Sequence, residues 1–520
     1  MSTTSDDRPS RSSRKAFLGR LGLGAAAVGS GGLVRAESAA ARTAHAQHAY
    51  STSSDRFGRI FEGLPPFASQ SPKVEEAMRD IGKPGGILDA KDALDKGPVL
   101  LITDPSLSAG NPNNSAHPAG ATFMGQFLDH DMTFDVGSRL GQPTDPRDAV
   151  NGRTPAFDLD SVYGGGPVAS AQLYDPADRA KLRLDSGGHF EDLPRVADGT
   201  AVIADPRNDE HVVIAGLQCA FILCHNRAVE EARGAGAADP FAQARRLVTW
   251  HYHWLILHEL LPLFVGQALV DDVLTKGRRF YRPKGAALMP VEFQGAAYRF
   301  GHSMVRPSYR ANLKGDRGKA FFGLIFDPAA SGSDPVDLRG GCRAPRRFVG
   351  WQTFFDFGDG EVKPNKLIDT KLSTPLFDLP LGAIASGDLP TSLPQRNLLR
   401  QLTWKLPSGQ RLAKEMGLPA LAPGDLQELS GYGLKLERST PLWYYVLKEA
   451  EVMAAGLRLG PVGGRIVAEV MIGLLQTDPA SYVASQPGWK PTLPSTSGHG
   501  EFRMVDLLRY AGVDPASRGQ

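Results

Sequence analysis

The chain has 520 residues, of which 42% are hydrophobic and 22% are charged, a composition typical of a globular protein with one large or two medium domains. The net charge is only +2 and the two signs are interspersed, so neither nucleic acid nor an anionic membrane is an expected partner. Three cysteines define no disulfide framework, and Cys219 and Cys224 are predicted to be core residues.

The first 46 residues are predicted to be an export signal. Residues 13–18 are similar to the twin-arginine pattern, with Lys15 in place of the second arginine. A Gly/Ala-rich apolar stretch at 21–34 and a small-x-small site at 44–46 follow. This layout, which also suits general secretion, predicts a secreted or periplasmic protein without membrane insertion, with a linker at 47–55. A disordered cytosolic arm is the alternative.

The rest of the chain is predicted to be all-α, a large and predominantly helical domain with long irregular loops and few short strands. Proline and glycine occur 39 and 58 times, which favours irregular connections between helices. In six stretches apolar residues recur every three or four residues. This spacing predicts helices at residues 121–132, 212–233, 240–260, 290–305, 442–457 and 464–475. No internal repeat is visible.

Residues 125–131 read Gly-Gln-Phe-Leu-Asp-His-Asp within the first of these helices. Gln126 and His130 are one turn apart on one helix face, while Asp129 and Asp131 project to either side. This places several polar groups beside a core, although a solvated turn is the ordinary explanation of such a triplet.

Residues 153–164 carry oxygen ligands at alternate positions. Thr154, Asp158 and Asp160, with the carbonyl of Ala156 between them, can surround a hard cation if the chain curls into a loop, and calcium prefers such ligands. A solvated turn explains the same two aspartates equally well.

Two further segments contain chemically suggestive residues. In residues 204–210, Pro206 and the acidic residues after it are typical of a helix start, and Arg207 lies among them. Residues 298–303 read Tyr-Arg-Phe-Gly-His-Ser, although a histidine such as His302 on an apolar face is more often a core residue than a ligand. The group His251, His253, His258 and Glu259 does not share one helix face, so we predict no zinc site there.

Taken together and in this order, these segments resemble the animal-type haem peroxidases, the peroxidase–cyclooxygenase superfamily, over roughly residues 56–483. Residues 244–259 and 441–444 are similar to bacterial secreted members. The resemblance implies a haem peroxidase catalytic domain at residues 56–515. It also implies haem b with His302 as the proximal iron ligand, Arg299 beside the haem, and Asn397 as the partner of the other ring nitrogen of His302.

On the opposite face of the haem, the resemblance assigns three catalytic residues. His130 would act toward hydrogen peroxide as general base and then as general acid. Arg207 would stabilise the developing negative charge, and Gln126 would orient a distal water or small anion. His225, in the matching triplet at 225–227, would be a core or capping residue.

The resemblance also implies a calcium ion and permits covalent haem. The implied calcium ligands are Asp131, Thr154, the Ala156 carbonyl, Asp158 and Asp160. Asp129 and Glu210 match the two acids that form ester bonds to haem in mammalian members. Ordinary hydrogen bonding at the haem edge is the alternative role for these two acids.

The implied activity is reduction of hydrogen peroxide through a ferryl intermediate, with oxidation of a halide, a pseudohalide or a small organic donor. One alternative is a fatty-acid dioxygenase of the same fold, in which a radical-forming tyrosine stands three residues before the proximal histidine, where this chain has Arg299. A catalytically silent secreted binding or adhesion module is another. The joint presence of His130, Arg207 and His302 favours the peroxidase. No motif distinguishes the donors or predicts an oligomeric state.

Overall fold

Helices dominate the structure, and the strands form only short two-stranded ladders. The structure, a computed structural model, describes residues 53–496, 498 and 500–520, which belong to one compact unit. The predicted export signal at 1–46 and residues 47–52 of the predicted linker lie outside the described residues. The predicted domain boundaries at 56 and 515 stay predictions.

The α-helices are, in chain order, α1 (Pro72–Ile81), α2 (Gly97–Thr103), α3 (Ala119–Met132), α4 (Asp160–Tyr163), α5 (Gly166–Ala169), α6 (Val212–Gly234), α7 (Pro240–Leu255), α8 (Leu261–Val265), α9 (Gln267–Lys276), α10 (Val291–Gln294), α11 (Leu393–Thr403), α12 (Gly409–Met416), α13 (Leu442–Ala454), α14 (Pro461–Thr477), α15 (Tyr482–Ser485) and α16 (Met504–Tyr510). A π-helical turn, Ile256–Leu260, joins α7 to α8. Short 3-10 helices include Pro206–Asp209 and Ala297–His302.

The strands are β1 (Ser53–Gly58), β2 (Asn113–Pro118), β3 (Asp185–Ser186), β4 (Glu191–Asp192), β5 (Ala287–Pro290), β6 (Ser308–Asp316), β7 (Lys319–Leu324) and β8 (Pro364–Lys366). β1 pairs with β5 in parallel. β2 pairs with β8, β3 with β4, and β6 with β7, all antiparallel. The predominantly helical fold with few short strands is therefore confirmed.

Helix α3 is held in the core by its apolar face and by a close approach at its start. The ring of Phe127 stacks on Phe221 of α6, with 4.8 Å between centroids. A Cβ at Gly120 would lie 2.4 Å from the ring of Phe355, so only glycine fits there. The last turn of α3, with His130 and Asp131, is consequently buried beside α6.

Helix α6 is buried along most of its length, which explains its nearly continuous apolar sequence. Among the described residues it is the one helix long and apolar enough by composition to cross a membrane, and 78% of its apolar window is buried in the fold. A core helix passes the same test, so the feature is weak evidence of a span. Cys219 and Cys224 of α6 are buried, as predicted.

The helix predicted at 290–305 is wrong as a continuous element. The chain forms α10, leaves helical geometry at Ala296 (φ −141°, ψ −72°), and resumes as the 3-10 helix Ala297–His302. Side chains donate hydrogen bonds to the backbone carbonyls at the break. Arg299 donates to the carbonyl of Gln294 at 2.7 Å, and Gln401 donates to that of Gly295 at 2.8 Å. These bonds replace the helical ladder and fix the turn that carries His302.

The helix start predicted around Pro206 also needs correction. Residues Pro206–Asp209 form a separate 3-10 turn, and α6 begins only at Val212, where the ring of His211 accepts the backbone N–H of Ile214 at 3.2 Å. The other predicted helices are observed with shifted ends. The helices not predicted from the sequence are α1, α2, α4, α5, α8, α9, α11, α12, α15 and α16.

Candidate active site

His130, at the end of α3, is held in a defined tautomer. Its Nδ1 lies 2.8 Å from the amide oxygen of Asn208, whose nitrogen donates to Gln218 at 2.8 Å. Because Asn208 presents its oxygen, Nδ1 carries the proton and Nε2 is the lone-pair nitrogen. Among the described residues Nε2 has no hydrogen-bond partner. Burial and the charge of Arg207 lower the pKa of His130 to about 3, so the imidazole is neutral at physiological pH.

Arg207 is fixed beside His130 by a buried carboxylate. Its Nε and Nη2 donate to Asp205 at 3.0 and 2.9 Å, and Nη2 also donates to the carbonyls of His130 and Thr133 at 3.1 and 2.8 Å. Asp205 is fully buried and also accepts from Arg153 at 2.7 Å. Although burial opposes it, the two arginines hold the pKa of Asp205 well below its usual value.

Gln126 links α3 to Glu210, which lies just before the start of α6. Its nitrogen donates to Glu210 at 3.0 Å, and its oxygen accepts from Nε2 of His211 at 2.9 Å. Burial raises the pKa of Glu210 to about 8, although Arg207 opposes the shift. Glu210 is therefore largely protonated near pH 7, whereas His211, whose pKa burial lowers to about 3, is neutral.

Asp129 lies between the residues around His130 and the segment that carries His302. Its side chain is one-third exposed and lies 3.6 Å from Nη1 of Arg207. Burial raises the pKa of Asp129, and Arg207 and Arg299 both oppose the shift. The segment that carries His302 is also joined to α3 by Tyr298, whose hydroxyl donates to the carbonyl of Gly125 at 3.1 Å.

His302 is positioned by α11. The amide nitrogen of Asn397 lies 2.8 Å from Nδ1 of His302, and its oxygen accepts from Arg299 at 3.0 Å. Nε2 of His302 has no partner among the described residues. A Cβ at Gly301, the residue before His302, would meet no atom within 4 Å. Burial and Arg299 lower the pKa of His302 to about 3, so the imidazole is neutral at physiological pH.

A second arginine lies close to Arg299. Burial and then Arg400 lower the pKa of Arg299 to about 10, which shows that the two cations are near one another. Arg400 pairs with Asp135, and its Nε is buried without a partner, as is the hydroxyl of Thr133. Unused donors and neighbouring cations at this end of the site suit a carboxylate-bearing ligand.

The predicted cation loop brings three carboxylates together. One oxygen each from Asp131, Asp158 and Asp160 lies within 4.8 Å of the others. The chain curls as the hypothesis requires, because Leu159 is left-handed (φ 57°) and its N–H donates to Asp131 at 3.1 Å. Thr154 lies beside the cluster, with its N–H donating to Asp160 at 3.2 Å. Ala156 closes the loop through its N–H to the Thr154 carbonyl.

The electrostatics of this cluster favour a cation. Burial, and then Asp158 and Asp160, raise the pKa of Asp131 well above its usual value. Burial likewise raises the pKa of Asp160 to about 6, although Arg153 donates to it at 3.2 Å. Oxygen atoms in a bent loop are the ligands that calcium takes. The role of the Ala156 carbonyl stays a prediction.

Several residues that matter to this geometry were not identified from the sequence. They are Asp205, Asn208, His211 and Gln218, which hold Arg207, His130 and Gln126 in place. Asp205 and Asn208 flank Arg207 in the same segment. Their polar side chains beside an assigned residue could have identified them as site residues from the sequence.

The histidines that were set aside have other partners. His225 is buried, and its ring nitrogens lie 3.1 Å from the Tyr163 hydroxyl and 2.9 Å from the Ala180 carbonyl, in agreement with a core role. His251, His253 and His258 contact backbone groups or Tyr482, and Glu259 accepts from the N–H of Met504.

Comparison with known proteins matches this arrangement to one family. A family model described as animal haem peroxidase matches residues 136–321, which include the cation loop, Arg207 and His302 but not α3. The chain is 26% identical over 226 residues to the probable oxidoreductase PXDNL of Homo sapiens, covering 37% of this chain and 15% of that protein. It is 24% identical over 204 residues to thyroid peroxidase of Rattus norvegicus, covering 34% and 22%. The matches thus span less than a quarter of these relatives.

Solved structures share the fold over most of the chain. Peroxidase A from Dictyostelium discoideum superposes with a TM-score of 0.61 at 15% identity, covering 89% of this chain and 96% of that one. A fatty acid alpha-dioxygenase from Oryza sativa gives a TM-score of 0.51 at 14% identity, covering 84% and 83%.

Part of the chain therefore resembles the animal haem peroxidases in sequence, and the fold is shared with peroxidase and dioxygenase structures. The matched family binds haem, and the site residues fit that group. His302 is neutral and its Nε2 has no partner among the described residues, and the site also holds the neutral His130 and the arginines Arg207 and Arg299.

We predict that Asp205→Ala destabilises the protein by about 3–5 kcal/mol, because it leaves Arg153 and Arg207 buried without their counter-charge. Chemical denaturation measures the loss. The matched control is Asp145→Ala, whose bond to Arg147 has the same 2.7 Å length as the Asp205–Arg153 bond but is exposed. A much smaller loss is expected there because water screens the pair. Equal losses in the two variants would contradict the prediction.

Proposed function

We propose that the protein is a haem-dependent peroxidase that reduces hydrogen peroxide and oxidises a halide, a pseudohalide or a small organic donor. One observation carries the proposal. His130 and His302 are both neutral, and each has an asparagine side chain 2.8 Å from Nδ1, the oxygen of Asn208 for His130 and the nitrogen of Asn397 for His302. Each leaves Nε2 unpartnered among the described residues, whereas the core histidine His225 uses both ring nitrogens.

His302 is the residue proposed to hold the haem iron, through Nε2. When bound, haem supplies the redox-active iron that accepts the peroxide oxygen. Ligation through Nε2 requires the proton on Nδ1. In the structure the Asn397 nitrogen faces Nδ1 and its oxygen accepts from Arg299, so the amide would have to turn to present its oxygen to the Nδ1 proton. Arg299 and Arg400 would pair with the haem carboxylates.

His130 is proposed to move the peroxide proton. With Nδ1–H held by Asn208, Nε2 can take the proton from one peroxide oxygen and return it to the departing oxygen. The lowered pKa of His130 keeps Nε2 free to act as a base before peroxide arrives.

Arg207 and Gln126 are proposed to supply fixed hydrogen-bond donors. Arg207 is always charged, and Asp205 together with two backbone carbonyls holds it in one orientation, so it can stabilise negative charge without reorganisation. Gln126 is oriented by His211 and can position water or a small anion.

Fatty-acid dioxygenation is the second candidate, because a dioxygenase structure shares the fold. The position three residues before His302 is Arg299, whose guanidinium is committed to Gln294 and Asn397. An arginine there cannot form the tyrosyl radical that the resemblance requires. Oxygen consumption with palmitate in the absence of peroxide would favour the dioxygenase.

We further propose that Asp131, Thr154, the Ala156 carbonyl, Asp158 and Asp160 bind calcium. The converging carboxylates and the curled backbone support this. Since Asp131 follows His130 directly, the ion would hold the end of α3. Export, by the signal predicted at residues 1–46, is also proposed.

Covalent attachment of the haem through Asp129 and Glu210 is a further part of the proposal. Glu210 is largely protonated near pH 7, and Asp129 is partly exposed between Arg207 and Arg299. Both acids therefore lie on the walls where a haem edge would run.

The purified protein with haem is expected to show a Soret band and to oxidise a phenol with peroxide. Comparing chloride, bromide, iodide and thiocyanate by product analysis identifies the donor. In His302→Ala we expect loss of stable haem or of the histidine-ligated spectrum, because the iron loses its protein ligand. An unchanged haem content and spectrum in this variant would remove His302 from the mechanism.

His130→Ala should retain haem but slow the first reaction with peroxide by at least ~10², the usual contribution of general acid–base catalysis. Stopped-flow absorbance measures the rate. His225→Ala is a matched control, because His225 is equally buried but bonds Tyr163 and Ala180 in the core. Wild-type speed in His130→Ala would end the proposed role.

Asp158→Ala should lower thermal stability, haem content and activity in parallel, because the cation that orders α3 is lost. Calcium content is measured by elemental analysis. Asp198→Ala, in an exposed turn, is the control. A fully active wild-type protein without bound calcium would refute the calcium proposal.

The ester bonds are tested by acid-acetone extraction after peroxide treatment. Haem is expected to stay with the wild-type protein, to be partly released from Asp129→Val or Glu210→Gln, and to be fully released from the double variant. Complete extraction from the wild type would end the ester proposal and leave the peroxidase proposal intact.

A further inference from the structure

Half of the tryptophans in the chain form one aromatic cluster away from the site described above. Trp489 lies 5.4 Å from Trp250, 6.3 Å from Trp254 and 5.1 Å from Tyr482, measured between ring centroids. The chain contains six tryptophans in all. We call these four side chains the tryptophan cluster.

The tryptophan cluster reaches from the interior to the surface. Trp254 and Tyr482 are buried, whereas Trp250 and Trp489 are partly exposed. The indole N–H of Trp250 donates to the Ala480 carbonyl at 2.9 Å. Two easily oxidised rings are therefore open to solvent and in contact with two that are not.

On its inner side the cluster continues toward the candidate active site. Tyr482 lies 6.3 Å from His253, and His253 lies 6.2 Å from Tyr252. The Tyr252 hydroxyl donates to Asp131, the residue after His130, at 3.2 Å. Its ring lies 6.4 Å from Phe127, also in α3. An unbroken series of ring contacts thus links α3 to Trp489.

Tyr298 brings the inner end close to the proposed haem pocket. Tyr252 packs against Phe127, and the Tyr298 hydroxyl donates to the carbonyl of Gly125, two residues earlier in α3. Tyr298 spans the site, bonding Gly125 of α3 from the segment that carries His302.

We propose that Trp489 is a surface oxidation site, connected to the haem by this aromatic series, for aromatic donors too large to enter the haem pocket. The proposal rests on the proposed peroxidase activity, which provides the oxidant. It adds a second donor site to the protein.

The step balances as follows in atoms and electrons. The Trp489 indole would give one electron, through the intervening rings, to the haem that peroxide has oxidised, and the indole N–H proton would pass to water. The surface donor then gives one electron to the indole radical, which regains a proton from water. Two such cycles return the two electrons that one peroxide removes.

The charges around the tryptophan cluster favour Trp489 as the oxidised ring and an anionic molecule as the donor. Arg246 lies over Trp250 at 5.6 Å and Lys490 over Trp254 at 4.8 Å. A cation over a ring makes removal of an electron harder, so the oxidised state settles on Trp489, which carries none among the described cation–ring contacts. The nearby carboxylates Asp478 and Glu259 accept backbone N–H groups. The exposed cations favour an anionic donor, such as a sulfonated dye.

The test uses the haem-loaded protein and variants that keep ring packing but change oxidisability. Trp489→Phe cannot be oxidised, whereas Trp489→Tyr can. Trp351→Phe, a buried tryptophan outside the cluster, controls for the substitution itself. After peroxide and a spin trap, mass spectrometry is expected to find the adduct on Trp489 in the wild type and no adduct at position 489 in Trp489→Phe.

Kinetics with two donors provide the second readout. With a sulfonated anthraquinone dye, Trp489→Phe should lower kcat/KM about tenfold or more, with guaiacol oxidation unchanged and partial recovery in Trp489→Tyr. No adduct at Trp489, or equal losses with both donors, would overturn the surface site alone. A wild-type protein that oxidises neither donor would overturn the peroxidase proposal and this one with it.

Discussion

The arrangement of the candidate site depends on one buried carboxylate, that of Asp205. It accepts from Arg153 on one side and from Arg207 on the other. Arg153 continues to Asp160 in the carboxylate cluster, and Arg207 continues to the carbonyl of His130. The predicted cation loop and the end of α3 that carries His130 are therefore parts of one hydrogen-bonded network, in which the cost of burying each charge is offset by its neighbours.

The two key histidines are each paired with an asparagine from a different kind of element. His130 comes from a regular helix and faces the oxygen of an asparagine in a 3-10 turn, whereas His302 comes from a 3-10 turn and faces the nitrogen of an asparagine in helix α11. An amide is suited to this role, because it binds a ring nitrogen without adding a charge beside a buried imidazole. In both cases Nε2 has no partner among the described residues.

Local patterns in the sequence predicted six helices, and five of them are observed with shifted ends. The catalytic and binding roles given to the site residues stay predictions. Gln126, Asp129, His130 and Asp131 are close in sequence, so helix geometry alone relates them. The family motif and its order identified Arg207, His302 and Asn397.

Two of the missed features are set by contacts distant in sequence. Nothing near residues 290–305 indicates that Gln401 takes the carbonyl of Gly295 and interrupts the helix. Nothing near Asn208 identifies His130, which is 78 residues away, as its partner. Side-chain to backbone bonds of this kind override helical periodicity, and only the folded chain reveals them.

The bond from Tyr298 to the carbonyl of Gly125 has a consequence for how such a protein matures. It joins the two walls of the pocket through the polypeptide's own atoms, so the width of the gap is set when the chain folds. A pocket that is already formed loses little conformational freedom when its prosthetic group binds. Assembly can then proceed in two stages, in which the chain folds first and the prosthetic group binds afterwards.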